Sequence, residues 1–326
     1  MPTQEKAWLE DVKRYMSDCL DSRSGPIVPI VLEHLQSGGK LIRPRLIFKV
    51  LQVADGKPSI AREWAAAIEL LHNATLIHDD YQDGDTHRRG QPTVWMKHGG
   101  PQAINAGDYL WSTAFHALAS REEEDGKTLG LVRLLSDMAM EVVQGQALEL
   151  SPLEDGVALR ERYIDIIRGK TSGLFRTPAC GALHLAGIPK PDMDTLSHHF
   201  EELGLLFQLQ DDLLDLYGDK GRSEVGEDLR EGKLSFLIVT HVETHPDGRS
   251  LCLDFLRRRR EEISASEVVA WIEKFRTDGT LDAALAEFKT REEKLLSNLE
   301  TELPQYKNLF AELVEMIKKP VGHLFT

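Results

Sequence analysis

The chain has 326 residues and little cysteine: Cys19, Cys180 and Cys252 stand alone, with no pair spacing among them. That excludes a disulfide framework and a cysteine-based zinc module, and leaves single thiols in a reducing compartment. Long apolar runs are missing as well. No stretch approaches the ~18 residues that cross a bilayer, and residues 1–16 are polar and charged, without the apolar core of a signal peptide. Positive charge is in deficit, with 39 Lys and Arg against 53 Asp and Glu and a net charge of −14. A nucleic-acid partner held by bulk electrostatics is disfavoured. An anionic small molecule stays open, because local charge and metals decide that. Alternating β-type segments are scarce, and no Pro/Ser-rich linker divides the chain. A single all-α domain over 1–326 is expected, cytoplasmic and without a transmembrane segment.

What is present is helical patterning with breakers between its segments. Residues 64–78 are apolar and Ala-rich, and similar stretches cover 108–120, 129–150, 159–186, 196–217, 233–244, 267–277 and 281–303. Gly56 to Pro58, Gly90 to Pro92, Gly99 to Pro101, Gly187 to Pro189 and His245 to Gly248 punctuate them. The run Arg257 to Arg260 followed by Glu261 and Glu262 reads as a solvated helix face with i,i+4 pairs.

Two aspartate clusters share one spelling: Asp79, Asp80 and Asp83, then Asp211, Asp212 and Asp215. Each closes an apolar, helix-compatible stretch. On a helix, positions i, i+1 and i+4 fan over roughly 100°, so each cluster makes a small wall of carboxylates at the polar end of an oily rod. Crowded like charges beside a core are costly unless neutralised. Mg²⁺ is the natural partner, being hard, oxygen-seeking and shared with substrate phosphates. Two such walls facing each other would hold several cations and, through them, a highly charged anion.

Basic groups lie near both walls. Gly38, Gly39, Lys40, Leu41, Ile42, Arg43 and Pro44 put two glycines, a lysine and an arginine at a helix entrance that suits a phosphate. Arg88 and Arg89, in the run Asp85 to Thr93, can form a local salt bridge with the acidic wall or grip a diphosphate. Gly169, Lys170, Thr171 and Ser172 place a lysine and hydroxyls in mid-helix; Gln208 precedes Asp211 on the same face; Lys233 follows the second cluster.

Together and in this order, the G-G-K-x-x-R-P box at 38–44, the first aspartate motif with R-R-G-x-P-T at 79–93, the G-K-T-S box at 169–172 and F-Q-x-x-D-D-x-x-D at 207–215 resemble the trans-isoprenyl (polyprenyl) diphosphate synthase family. The resemblance implies an all-α helical bundle around a deep central cavity, usually a homodimer. It implies head-to-tail condensation of isopentenyl diphosphate onto an allylic diphosphate. Carried over by position, Lys40, Arg43, His72 and Arg89 bind the isopentenyl diphosphate. Asp79, Asp83 and Asp211 are the principal ligands of Mg²⁺ (three ions with substrate bound), supported by Asp80, Asp212 and Asp215. Arg88, Lys170, Thr171, Gln208 and Lys233 bind the allylic diphosphate. In this family bulky aromatics four and five residues before the first aspartate stop the growing tail. Here those positions are Thr75 and Ala74, with Leu71 and Ile68 further down and Trp111 or Phe115 as a lower floor, so a product of C20 or longer is expected. One departure is the stretch Gly221 to Asp228, where the family's lysine position is Ser223, and Arg222 or Lys220 can substitute.

The residues make mechanistic sense beside the resemblance. Breaking an allylic C–O bond leaves a diphosphate whose charge metals and lysines stabilise, and the cation's alkyl tail needs a dry apolar slot. A class I terpene cyclase normally replaces the second aspartate motif with a mixed Asn/Ser/Glu triad and needs neither Lys40, Arg43 nor the Arg pair. A metal phosphohydrolase built on His78 and Asp79 would want further ligand histidines, and His72 and His87 make no persuasive set. A non-catalytic partner subunit usually loses an aspartate cluster, and both are intact. A C15 farnesyl diphosphate synthase is the nearer alternative.

Overall fold

The structure is a computed structural model that describes residues 2–21, 24–121, 126–154, 156–218 and 225–325. The side chains of Pro2, Thr3, Asp21 and Ser172, and the 219–224 segment with Lys220, Arg222 and Ser223, lie outside what is described. The described chain is almost entirely helical; its strands are the short pair His87–Arg88 and Gln91–Pro92. No helix among the described residues is long and apolar enough to cross a membrane.

The chain divides into two compact units, one of Met1–Met140 with Leu174–His198, the other of Glu141–Gly173 with His199–Thr326. In the first, helix Arg62–Gln82 is the spine. Its body from Trp64 to Leu71 is buried throughout, Glu69 included, and helix Gly100–Ala119 packs along it. The small residues Gly107, Ala103, Ala106 and Ala114 make that close packing possible; a Cβ on Gly107 would collide with the His78 ring. Pro101, read as a breaker, instead opens this helix in its first turn, where its missing N–H costs nothing.

In the second unit the equivalent rod is the C-terminal part of Lys190–Tyr217, buried along Leu203, Leu206, Leu209, Leu213 and Leu216. The expected single helix over 159–186 is interrupted: Leu159–Ile167 passes through a π-helical turn, Arg168–Ser172, before Gly173–Ala186 begins. Helix Ala265–Thr277 starts with a capping box in which Ser264 and Glu267 satisfy each other's backbone N–H groups.

Two expectations are corrected. Lys233 lies ahead of its helix, which runs Phe236–Thr244. Arg257 to Glu262 is a turn and not a helix face: Arg257 caps Arg249–Leu256, Arg260–Glu262 is a 3₁₀ turn, and the arginines reach Leu153 O, Glu267, Glu262 and Glu231. Helices Pro2–Asp21, Ile27–Gln36 and Lys307–Lys318 were not anticipated, while Ile42–Val53 is the helix expected after the Gly38–Lys40 loop.

Candidate active site

The first aspartate cluster occupies the last turn of Arg62–Gln82, with Asp83 as its C-cap and its N–H bonded to Asp79 O at 2.8 Å. The second lies near the end of Lys190–Tyr217. Neither helix has a basic residue in its last turn. A helix C-terminus carries the negative end of the macrodipole, so each carboxylate there is disfavoured by about 0.3–1 kcal/mol.

Within the first cluster the roles differ. Asp79 and Asp83 are half-buried. Asp80 is 1% exposed and takes Arg88 in a forked contact, Nε at 2.6 Å and Nη2 at 2.5 Å from Oδ1. Burial raises the Asp80 pKa and Arg88 opposes that rise. The local salt bridge considered for the Arg pair is therefore made by Arg88.

Arg88 and Arg89 sit on a hairpin that the sequence did not announce. His87 pairs with Pro92 and Arg88 with Gln91, and the turn holds Arg89 at φ 53° and Gly90 at φ 74°. Two successive positive φ values match the tight turn that suits twisted strands. Arg89, with a Cβ, pays about 1–2 kcal/mol for that conformation. The hairpin base is pinned by Thr93 Oγ1 and Trp95 Nε1, which donate to Asp85 O at 2.8 and 2.7 Å.

Gly39 meets this hairpin from the other side: a Cβ there would lie 3.2 Å from Arg89 Nη2. The Gly38–Lys40 loop reaches its helix, Ile42–Val53, through Leu41 in the left-handed region at φ 48°. The structure thus brings Arg43, His72 and Arg89 into one electrostatic neighbourhood, with the exposed Lys40 on the adjoining loop. Burial, then Arg43, Arg88, Arg89 and His34, push the His72 imidazole well below its usual range, so it is neutral. Burial lowers Arg43 to about 10, against the pull of Glu69. A cleft of about 380 Å³ beside this group is lined by His34, Asp80, Arg88, Arg89, Lys97 and His98, among others.

Sequence reading missed His34, Glu69 and Asn73 here. Burial pushes His34 down to about 4, with Arg88 and Arg89 adding to it. Glu69 is a buried carboxylate balanced by Arg43, and Asn73 Nδ2 donates to Glu69 O at 2.8 Å. The available signal was a glutamate and an amide four residues apart inside an otherwise apolar helix.

In the second unit, Asp211 is half-buried while Asp212 and Asp215 are 4% exposed. Asp212 is fully engaged. It accepts from Tyr163 Oη at 2.7 Å, from Phe236 N at 2.6 Å and from Gln208 Nε2 at 2.8 Å. Burial still pushes it up to about 7 against those donors. Gln208 Oε1 accepts in turn from Thr171 Oγ1 at 2.8 Å, so a continuous chain runs from Tyr163 through Asp212 and Gln208 to the π-helical turn. Gln208 therefore serves Asp212, not Asp211. Tyr163 was missed by sequence reading because it lies far away in the chain with no motif around it. Asp215 accepts the Asp228 N–H at 3.3 Å. The two lysines are held by carboxylates: Lys170 by Glu149, and Lys233 Nζ by Glu231 at 2.7 Å.

The turn bearing Lys170 and Thr171 sits where two backbones touch. A Cβ on Gly169 would lie 2.8 Å from Glu141 O, and one on Gly145 would lie 2.7 Å from Lys170 N. π-helical turns often mark functional sites. The chain-length positions Ala74 and Thr75 are buried on Arg62–Gln82, Thr75 Oγ1 donating to His72 O at 2.8 Å; Trp111 and Phe115 lie half-buried on Gly100–Ala119.

Residues 26–272 match the family model described as polyprenyl synthetase. The short chain isoprenyl diphosphate synthase of Methanocaldococcus jannaschii is 38% identical over 212 residues, 64% of each chain. The match thus spans slightly less than two thirds of that relative's length. The geranylgeranyl diphosphate synthase of Saccharolobus solfataricus is 36% identical over 247 residues, 72% of this chain and 73% of the relative. Among solved structures, a geranylgeranyl pyrophosphate synthase superposes with a TM-score of 0.85 at 26% identity over 97% of both chains. The Caulobacter crescentus polyprenyl synthase complexed with calcium and isoprenyl diphosphate gives 0.83 at 26% identity, covering 97% of this chain and 95% of that one.

Proposed function

This chain belongs to the polyprenyl synthetase family, and from that premise we propose that it joins isopentenyl diphosphate head to tail to an allylic diphosphate. The product is a linear all-trans prenyl diphosphate of C20 or longer. Residues 1–326 work as one synthase domain, as a cytoplasmic homodimer; near-complete coverage of a geranylgeranyl pyrophosphate synthase supports the single-domain reading.

Asp79, Asp83 and Asp211 are the carboxylates assigned to Mg²⁺, three ions being expected with substrate bound. The donor set fits: the half-buried carboxylates of Asp79, Asp83 and Asp211 offer hard oxygens with partial solvation. When bound, Mg²⁺ would supply charge neutralisation at the departing diphosphate. Asp80, Asp212 and Asp215 act behind these ligands. Asp80 orients Arg88, Asp212 orients Gln208 and with it Thr171, and Asp215 anchors the segment that starts at Asp228.

Lys170 and Lys233 exchange carboxylate partners for the allylic diphosphate, and Arg88 turns its remaining guanidinium N–H toward it while held by Asp80. Gln208 donates its second amide N–H to the diphosphate, and Thr171 rotates its hydroxyl from Gln208 to donate to it. As the allylic C–O bond breaks, its electron pair leaves with the diphosphate, and these cations stabilise that charge. Lys40, Arg43 and Arg89 bind the diphosphate of the second substrate, and His72, kept neutral, donates or accepts a hydrogen bond without adding charge. The isopentenyl double bond attacks the allylic cation to form the new C–C bond. The proton then lost passes to the released diphosphate. The small buried Ala74 and Thr75 leave room for a long tail.

The observation that carries this reading is the meeting of the Gly38–Lys40 loop, the Arg88–Arg89 hairpin and His72 beside an acidic helix end. Incubation with isopentenyl diphosphate, Mg²⁺ and each of dimethylallyl, geranyl and farnesyl diphosphate, read by mass spectrometry, tests it. Elongation to C20 or beyond is expected. Hydrolysis alone, or a cyclic hydrocarbon, would overturn it.

A further inference from the structure

Helix Phe236–Thr244 carries His241 one turn before its end and His245 at its C-cap, a spacing of four residues that stacks the two rings with centroids 4.8 Å apart and planes 24° apart. Two histidines so spaced share one helix face and form a common half of a metal site. A third donor comes from the corner between helices Ala265–Thr277 and Thr280–Glu302. Asp278 Oδ2 lies 3.3 Å from His241 Nδ1. One ligand atom from each of the three residues falls within 4.8 Å of the others.

We propose that His241, His245 and Asp278 form a binding site for one divalent transition-metal ion of the zinc class. Two imidazoles and one carboxylate match zinc's preference for nitrogen and oxygen ligands, with solvent completing the coordination. The site is unrelated to the aspartate motifs, whose all-oxygen donors suit Mg²⁺.

The carboxylate is presented for such a role. Its Oδ1 is fixed by Thr280 N at 3.1 Å and Thr280 Oγ1 at 2.6 Å. Its Oδ2 is buried, accepts no hydrogen bond and faces His241 Nδ1 at 3.3 Å and Lys274 Nζ at 3.4 Å. His241 is 1% exposed and wedged against Trp271 and Phe275, whose ring centroids lie 5.7 and 5.4 Å away. Its position is therefore fixed. Burial lowers its pKa against the pull of Asp278, keeping the imidazole in the neutral form a metal needs.

Three adjustments accompany binding. His241 Nδ1, which donates to Thr280 Oγ1 at 3.0 Å, must exchange that hydrogen bond for the metal. Ligand atoms around a tetrahedral zinc ion sit roughly 3.4 Å apart, so His245 must move inward by about an ångström; it is half-buried at a helix end, where such movement is cheap. Lys274 Nζ, 3.4 Å from Asp278 Oδ2, must swing away. Lys274 lies on an exposed helix face, and surface ion pairs of that kind contribute little. The ion then ties the end of Phe236–Thr244 to the Asp278 corner within this unit.

The test uses the full chain, stripped of metal by chelation and held in excess Mg²⁺ to saturate the aspartate motifs. Zn²⁺ is added, free metal is removed by gel filtration, and retained zinc is counted by elemental mass spectrometry. Wild type is expected to retain one more Zn²⁺ per chain than His245→Ala or Asp278→Asn, and to show visible absorption with Co²⁺ that both variants lose. Should Asp278→Asn misfold, His245→Ala, altered only at a helix end, carries the comparison alone. Equal zinc content in wild type and His245→Ala would overturn the proposal.

Discussion

Asp212 shows how one carboxylate in a metal-type motif can have a different task from its neighbours. Its three donors, Tyr163, Phe236 N and Gln208, surround it in a buried setting. Removing one donor leaves a buried acceptor under-satisfied, at a cost of about 1–3 kcal/mol. Tyr163→Phe is therefore expected to lower urea-unfolding stability by about that amount. It should also reduce kcat, since Gln208 and Thr171 lose their orientation; Asp212→Asn should do more. His34 offers a second residue-scale expectation. Its folded pKa of about 4 lies below the 6.5 of an ordinary histidine. The unfolded chain thus binds the extra proton between those values, and stability falls as pH drops from 6.5 toward 4. By pH 5 the loss from His34 is about 2 kcal/mol. Chemical denaturation at pH 7 and pH 5 checks this: His34→Gln should lose about 2 kcal/mol less than wild type over that interval.

Elements, more than single side chains, decide where the basic groups stand. The π-helical turn Arg168–Ser172 depends on two glycines meeting backbone to backbone. A methyl at Gly169 would press on Glu141 O and the Gly145 Cα, neither of which can yield as a flexible side chain would. Gly169→Ala is expected to cost about 1–3 kcal/mol and to lower elongation, measured by unfolding midpoint and initial rate. In the first unit, Ala74 lies wholly buried on Arg62–Gln82. Ala74→Phe should shorten the product, read as a shift of the mass-spectrometric distribution toward C15; an unchanged distribution would remove the chain-length argument. The helices bearing the aspartates were legible because their apolar periodicity is long and ends abruptly in charge. The hairpin at His87–Pro92 was not. Two-residue strands carry no alternation, and the turn uses Arg89 at a positive φ instead of the asparagine or glycine that would have signalled it. The π-helical turn was equally hidden, since Gly169 reads as a mere helix weakness unless its partner Gly145 is known. The early helices Pro2–Asp21 and Ile27–Gln36 escaped notice because breakers and charge mask their apolar faces.

For the molecule as a whole, the sequence disclosed fold class and family together, because four motifs in order are more specific than any fold pattern. It disclosed less of the partnerships. Arg88 with Asp80, Gln208 with Asp212 and Lys170 with Glu149 follow from tertiary packing, which no local spacing encodes. The account's central claim is that carboxylates from both aspartate motifs act, through Mg²⁺, on one departing diphosphate. The most direct measurement is the elongation rate at saturating Mg²⁺ and substrates for Asp79→Asn, Asp211→Asn and the double variant, each checked for native circular dichroism. Residues acting as a unit are strongly non-additive. Each single change is predicted to slow turnover by about 10²–10³-fold, and the double change to be little worse than either alone. Near-wild-type rates in either single variant, or losses that multiply in the double, would contradict the claim.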